Sequence, residues 1–142
     1  MGRIRKLLIY TDGAIRTNPR ATGLGVIIKD ERGRILAWLS KVTGGLTCNE
    51  AEYAALIFAL EEARKYRPRE ATFYLDNQVV VNQMKGAFAI RSPALKSLNL
   101  SARRLAQGIP KVTFTYIPRC RNRLADALAH EAVDGVGQTP SG

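Results

Sequence analysis

Leu7-Leu8-Ile9-Tyr10 is an uninterrupted apolar run, and residues 4–11 around it read as a strand. Two more strands follow at 23–29 (GLGVIIK) and 34–42 (RILAWLSKV), split by the turn Asp30-Glu31-Arg32-Gly33. The period then changes. From about Asn49 to Tyr66 the chain is rich in alanine and leucine, with Arg64 and Lys65 in the last turn and Pro68 beyond, which predicts a helix. A strand at 71–75 (ATFYL), a short helix near 77–85 and an amphipathic helix near 94–107 come next. In the last of these, Leu95, Leu98, Ala102, Leu105 and Ala106 recur at helical spacing. A strand at 111–117 (KVTFTYI) and a helix at about 122–134 finish the pattern, and Trp38, Tyr53 and Phe73 read as core.

Three strands joined by short turns form an antiparallel meander, so the third runs parallel to the first. Helical crossovers to the fourth and fifth strands normally join parallel neighbours. The expected fold is α/β: a mixed five-stranded sheet, an antiparallel meander of three strands plus two parallel strands, flanked by helices. Residues 1–134 read as one domain and 135–142 as a flexible C-terminal tail. The Met1 start and self-contained length fit a stand-alone protein.

Composition narrows the class. With 46% hydrophobic and 24% charged residues the chain reads as globular. No stretch approaches the roughly 18 apolar residues of a membrane span, so no membrane role is expected. The basic N-terminus, Met1 to Lys6, lacks the apolar segment of a secretory signal. Two cysteines, Cys48 and Cys120, make no disulfide framework and fit a reducing cytoplasm. Twenty-two Lys and Arg against twelve Asp and Glu give a formal charge of +10, which draws polyanions, nucleic acid foremost.

Against that charge, four acids stand out. Asp12 in YTDGA and Asp76 in FYLDN each leave the carboxyl end of an apolar strand. Parallel neighbours would bring those ends to roughly 5 Å, the interstrand spacing. Glu52 shares an inward stripe with Ala55, Leu56 and Ala59 in the first turns of a helix starting at the same edge. Asp126 lies near the start of the last helix, which begins there too. Each acid has a plainer reading: a turn signal before Gly13, a helix cap at Asp76, the first-turn preference of Glu52, and a solvated side of the last helix opposite Leu124 and Leu128 for Asp126. Four at one edge is a different matter. Clustered carboxylates either hold protons at raised pKa or bind cations, and hard oxygen donors suit magnesium or manganese. Two ions about 4 Å apart can activate water and stabilise the leaving oxygen of a phosphodiester.

YTDGA, NEAEYAALIFAL, YLDNQVVVNQM and IPRCRNRLADALAHEA resemble the four signature segments of type 1 ribonuclease H, in order and spacing, over residues 5 to 134. The likeness is to compact prokaryotic members, since Gly86 to Ser101 leaves no room for the basic protrusion of some relatives. The resemblance implies a metal-dependent endoribonuclease that hydrolyses the RNA strand of RNA–DNA hybrids by a two-metal-ion mechanism, giving 5′-phosphate and 3′-hydroxyl ends. It implies two Mg2+ ions, with Mn2+ as a substitute, on Asp12, Glu52, Asp76 and Asp126, Asp12 bridging both. By the same resemblance Asn18, Asn49 and Gln78 match residues that read the minor groove and the RNA 2′-hydroxyls, and Thr47 matches a DNA-phosphate contact. Among the basic residues, Lys85, Arg91, Lys96, Arg103 and Arg104 are placed to follow the DNA strand, while Arg119, Arg121 and Arg123 flank Asp126. For each amide a loop or cap role stays open, and for each cation a solvated face. The expected partner is an RNA–DNA hybrid, and the expected state a cytoplasmic monomer.

Departures from the family pattern are visible. Thr17 and Arg20 stand where glycine is common, and Arg20 either adds a phosphate contact or blocks close approach. Cys48 replaces an asparagine and Asn77 a serine. The loop 118–123 has no histidine, and His130, one turn beyond Asp126, reads as a surface or supporting residue rather than an acid–base catalyst. Rival readings are a non-catalytic hybrid-binding module and the nuclease domain of a retroelement protein. The presence of all four acids argues against the first.

Overall fold

The computed structural model describes residues 4–136. The strands are β1 (Lys6–Thr17), β2 (Arg20–Asp30), β3 (Ile35–Thr43), β4 (Glu70–Leu75) and β5 (Lys111–Tyr116). The helices are α1 (Cys48–Arg64), α2 (Gln78–Met84), α3 (Pro93–Ala106) and α4 (Arg123–Asp134), with a 3-10 turn at Arg119–Arg121. They form one sheet in the order β3-β2-β1-β4-β5. β1 pairs antiparallel with β2, and β2 with β3, while β4 runs parallel to both β1 and β5. The expected mixed sheet is therefore the observed one. Of the tail read at 135–142, Gly135 and Val136 close the last helix, and Val136 packs on the cluster around Ala14 and Ala129. The rest of that tail lies outside the described residues.

One face of the sheet carries the large core. Leu7, Ile9, Val26, Ile28, Phe73 and Leu75 meet Tyr53, Leu56 and Leu60 of α1, all fully buried. On the other face α4 packs through small residues: Ala14, Ala21, Ala129 and Val133. A Cβ at Gly25 would collide with the Ala125 carbonyl, so glycine is what lets α4, and Asp126 with it, lie directly on the sheet.

Two expectations are corrected. β1 does not end at residue 11. Asp12 to Thr17 continue the ladder against β2, from Asp12↔Gly25 to Thr17↔Arg20, so β1 and β2 form a long hairpin turning at Asn18-Pro19. Trp38 is not core but 65% exposed. β3 is an edge strand, and Trp38 alternates with Ala37 and Leu39, which take the core-facing positions. Tyr53 and Phe73 are buried as expected.

α1 begins one residue earlier than its apolar pattern suggests. Thr47 is its N-cap in a capping box, with Thr47 N donating to Glu50 Oε1 at 2.9 Å and Glu50 N to Thr47 Oγ1 at 3.4 Å.

Candidate active site

The ladder between β1 and β4 stops at Tyr10↔Tyr74. Asp12 and Asp76 both lie two residues beyond that pair, so the parallel arrangement delivers them to one edge. Glu52, in the second turn of α1, reaches the same point because α1 sits close on β1: a Cβ at Gly13 would stand 2.7 Å from the Ala51 carbonyl oxygen. This is why YTDGA pairs an acid with a glycine. The glycine is not a turn residue but a clearance for α1, and its N–H donates to Glu52 Oε1 at 3.2 Å.

Asp12, Glu52 and Asp76 each offer a carboxylate oxygen within 4.8 Å of the others. Asp12 is 3% and Glu52 7% exposed, and Asp76 is half-buried. Asp126 stands outside this triad, but its carboxylate is near enough to Asp12 to help raise the Asp12 carboxyl. The His130 ring nitrogen Nε2 lies 3.3 Å from Asp126 Oδ1, near enough for an ion pair, yet not aligned as a hydrogen bond. Burial, and next the charge of Glu52, pushes the Asp12 carboxyl up to about 10. Burial also raises Glu52, to about 7, while hydrogen bonds from Asp12 and Gly13 N–H oppose the rise. Without a cation, burial and mutual repulsion therefore favour the protonated form of this pair.

Asp12 Oδ2, Glu52 Oε2 and Asp126 Oδ1 are buried with no hydrogen-bond partner. Unpaired buried lone pairs are costly, and here they converge. Hard oxygen donors, crowded and unsatisfied, fit a divalent cation.

The remaining residues divide sharply. Asn49, Gln78 and Arg119 line the cleft over the carboxylates, together with Cys48, Asn77 and His130. Asn77 Nδ2 donates to Asn49 Oδ1 at 2.9 Å, so Asn77 orients the Asn49 amide while its own Oδ1 caps α2. Thr47 sits at the start of α1 as its cap. Asn18 is at the exposed hairpin tip, and Arg20, at the start of β2, packs against Gly45 near Glu50. Lys85 ends α2, and Arg91 lies in the exposed segment before α3; neither lines the cleft. Arg121 turns to a separate small cavity with Tyr10, Ile27 and Lys29. Arg103, read with the outward basic cluster, is spent inward: Nε donates to Asn99 Oδ1 at 2.8 Å and Nη2 to the Gln83 carbonyl at 3.0 Å.

Asn122 was not singled out by the sequence. It is 1% exposed, and its Nδ2 donates to the Thr11 carbonyl at 2.8 Å and to Asp76 Oδ2 at 3.1 Å. An asparagine at a helix start reads as a cap. The only further hint is its place four residues ahead of Asp126.

The Reverse transcriptase-like family matches residues 10–132. The chain is 35% identical over 135 residues to the Bifunctional protein Rv2228c of Mycobacterium tuberculosis, covering 94% of this chain and 37% of that protein. It is 38% identical over 125 residues to Ribonuclease HI of Halobacterium salinarum, covering 88% of this chain and 63% of that one. It thus spans well under half of the first and somewhat under two thirds of the second. The crystal structure of RNase H1 from Halobacterium salinarum superposes with a TM-score of 0.88 at 37% identity, covering 92% of this chain and 99% of that chain. LC11-RNase H1 in complex with RNA/DNA hybrid gives 0.87 at 36% identity, covering 93% and 99%. A likeness of this depth, running through every segment that carries an acid, makes the chain a member of the ribonuclease H family.

Proposed function

We propose that this chain is a metal-dependent endoribonuclease that cleaves the RNA strand of RNA–DNA hybrids, leaving 5′-phosphate and 3′-hydroxyl ends. The observation that carries the reading is the triad Asp12, Glu52 and Asp76, its oxygens within 4.8 Å and partly without partners. A module that only bound hybrid would gain nothing from mutually repelling buried acids. Asp12, Glu52, Asp76 and Asp126 would hold two magnesium ions, or manganese in their place, with Asp12 serving both. Such ions supply Lewis acidity at a scissile phosphate and offset charge on the leaving oxygen.

The chain's own groups do the rest. Gly13 N–H fixes the rotation of Glu52. Asn49, held by Asn77, and Gln78 present amides beside the carboxylates, where they can pair with 2′-hydroxyls. That pairing selects the RNA strand. Thr47 Oγ1 accepts from Glu50 N and keeps its own proton for a phosphate oxygen. Arg119 borders the cleft as a phosphate contact, and Asn18, Arg20, Lys85, Arg91 and Arg121 are assigned outlying contacts along the duplex. We place the catalytic domain at residues 1–134, acting as a cytoplasmic monomer. Among the described residues no helix is long and apolar enough to cross a membrane.

The test is incubation with end-labelled RNA–DNA hybrid and with the matching DNA duplex, with and without magnesium. Magnesium-dependent cutting confined to the RNA strand is expected. Efficient cutting of duplex DNA, or none of hybrid, overturns the reading.

A further inference from the structure

We infer that Asn122 is a positioning residue that sets the spacing of Asp12 and Asp76 for metal binding, an inference that rests on the carboxylate cluster being a metal site. β1 and β4 separate beyond Tyr10↔Tyr74: β1 continues along β2 while β4 ends at Leu75. At the fork the Thr11 carbonyl has lost its place in the parallel ladder, and the Asp76 carboxylate follows just past the end of β4. Both are acceptors. The Asn122 side chain enters there and its Nδ2 serves both, at 2.8 and 3.1 Å. Because two acceptors face it, only the NH2 end of the amide can point that way, which settles its orientation chemically.

The same residue opens α4. Its carbonyl accepts from Asp126 N at 3.1 Å, the first bond of that helix. Three of the four acids are thereby referenced to one side chain and its backbone: Asp12 as the neighbour of Thr11, Asp76 directly, and Asp126 through the helix start. Engaging Asp76 Oδ2 also fixes the rotation of that carboxylate.

Asn122 does this at the expense of its local role. An asparagine at an N-cap usually accepts a backbone N–H from the first turn, as Asn77 does from Val80 N at 3.0 Å. Asn122 makes no such side-chain bond, and its Oδ1 is buried without a hydrogen-bond partner. A residue that forgoes its cap and leaves an acceptor unpaired is placed for the site rather than for the helix.

The test compares Asn122→Ser and Asn122→Ala with wild type. Serine is as good a helix cap as asparagine but too short to bridge Thr11 and Asp76. Thermal unfolding is followed during a magnesium titration without substrate, and kcat and KM for hybrid are measured at saturating magnesium. Groups that orient metal ligands typically change metal affinity by about 10–100-fold. We expect the magnesium midpoint to rise about tenfold in both variants, within that range, with kcat lowered and KM for hybrid unchanged. A midpoint in Asn122→Ser within about twofold of wild type overturns the inference while leaving the metal site standing. So does failure of Asn122→Ser to fold without metal, which would assign Asn122 to the fold. A wild-type melting temperature indifferent to magnesium overturns the inference and the metal-site reading together.

Discussion

Glu52 and Tyr53 are consecutive on α1, yet they enter two buried polar clusters of opposite character. Tyr53 belongs to a closed one. Its hydroxyl donates to Gln83 Oε1 at 2.7 Å and accepts from Asn99 Nδ2 at 3.1 Å, while Arg103 donates to Asn99 Oδ1 and to the Gln83 carbonyl. These contacts join α1, α2 and α3 and leave none of the four side chains among the buried unpaired atoms. Glu52 belongs to an open cluster, in which Asp12, Glu52 and Asp126 each keep a buried oxygen without a hydrogen-bond partner. A closed network ends within the protein and rigidifies it. An open one is completed only by something that binds. The difference separates scaffold from site more sharply than burial does, since both clusters are buried.

The most damaging way to break the open cluster is Asp12→Asn. Hybrid cleavage should fall on the order of a thousandfold or more, as expected when a group that holds transition-state charge in check is lost. Metal-free stability should hold or rise, because the cost of burying an ionisable acid beside Glu52 and Asp76 goes with the carboxylate. Activity assays beside urea unfolding read both, and a parallel loss of activity and stability would make Asp12 structural.

A pH series tests the same cluster without mutation. Asp12 and Glu52 are raised from 3.8 and 4.5 to about 10 and about 7, so in this window the folded state holds more protons than the unfolded. Their contribution to stability therefore falls as pH rises from about 4 through 7 and on toward 10. Asp30 and Glu50 act the other way at acid pH. Hydrogen bonding to the Arg34 backbone N–H holds Asp30 below its ordinary value, and that to Thr47 N–H does so for Glu50. Magnesium should raise the melting temperature more at pH 8 than at pH 5. Equal shifts at both would contradict the assignment.

The closed cluster should answer differently. Asn99→Ala strands the Arg103 Nε and removes a donor to Tyr53, at a cost of about 1–3 kcal/mol in unfolding free energy. The magnesium midpoint should stay at its wild-type value. A shifted midpoint would show that the two clusters are coupled through α1.

The smallest effect sharpens the cleft. Cys48 is exposed beside Asn49, and a neutral thiol is a weak partner for a hydroxyl. Cys48→Asn should tighten hybrid binding by about 1 kcal/mol, roughly one net hydrogen bond, read as a lower KM at unchanged kcat. The gain should disappear on a substrate with deoxyribose at the contacted position. No gain on all-RNA strands would leave Asn49 as the groove contact.

Local pattern was enough to determine much of this molecule. Strand and helix periods are short-range, and the parallel crossover rule carries Asp12 and Asp76 to one edge without any coordinates. The order of elements, the mixed sheet and the candidate acids were all legible for that reason. Tertiary structure alone decided the rest, because it turns on which groups meet across long loops. Trp38 is exposed because β3 lies at the sheet's edge and its core-facing positions go to Ala37 and Leu39. Gly13 reads as a turn residue until α1 is seen resting on it. Arg103 looks like a surface cation until Asn99 and Gln83 claim its guanidinium. Asn122 carries a cap's signature, and its amide finds Thr11 a full 111 residues earlier in the chain, a pairing that register and packing create and no local spacing encodes.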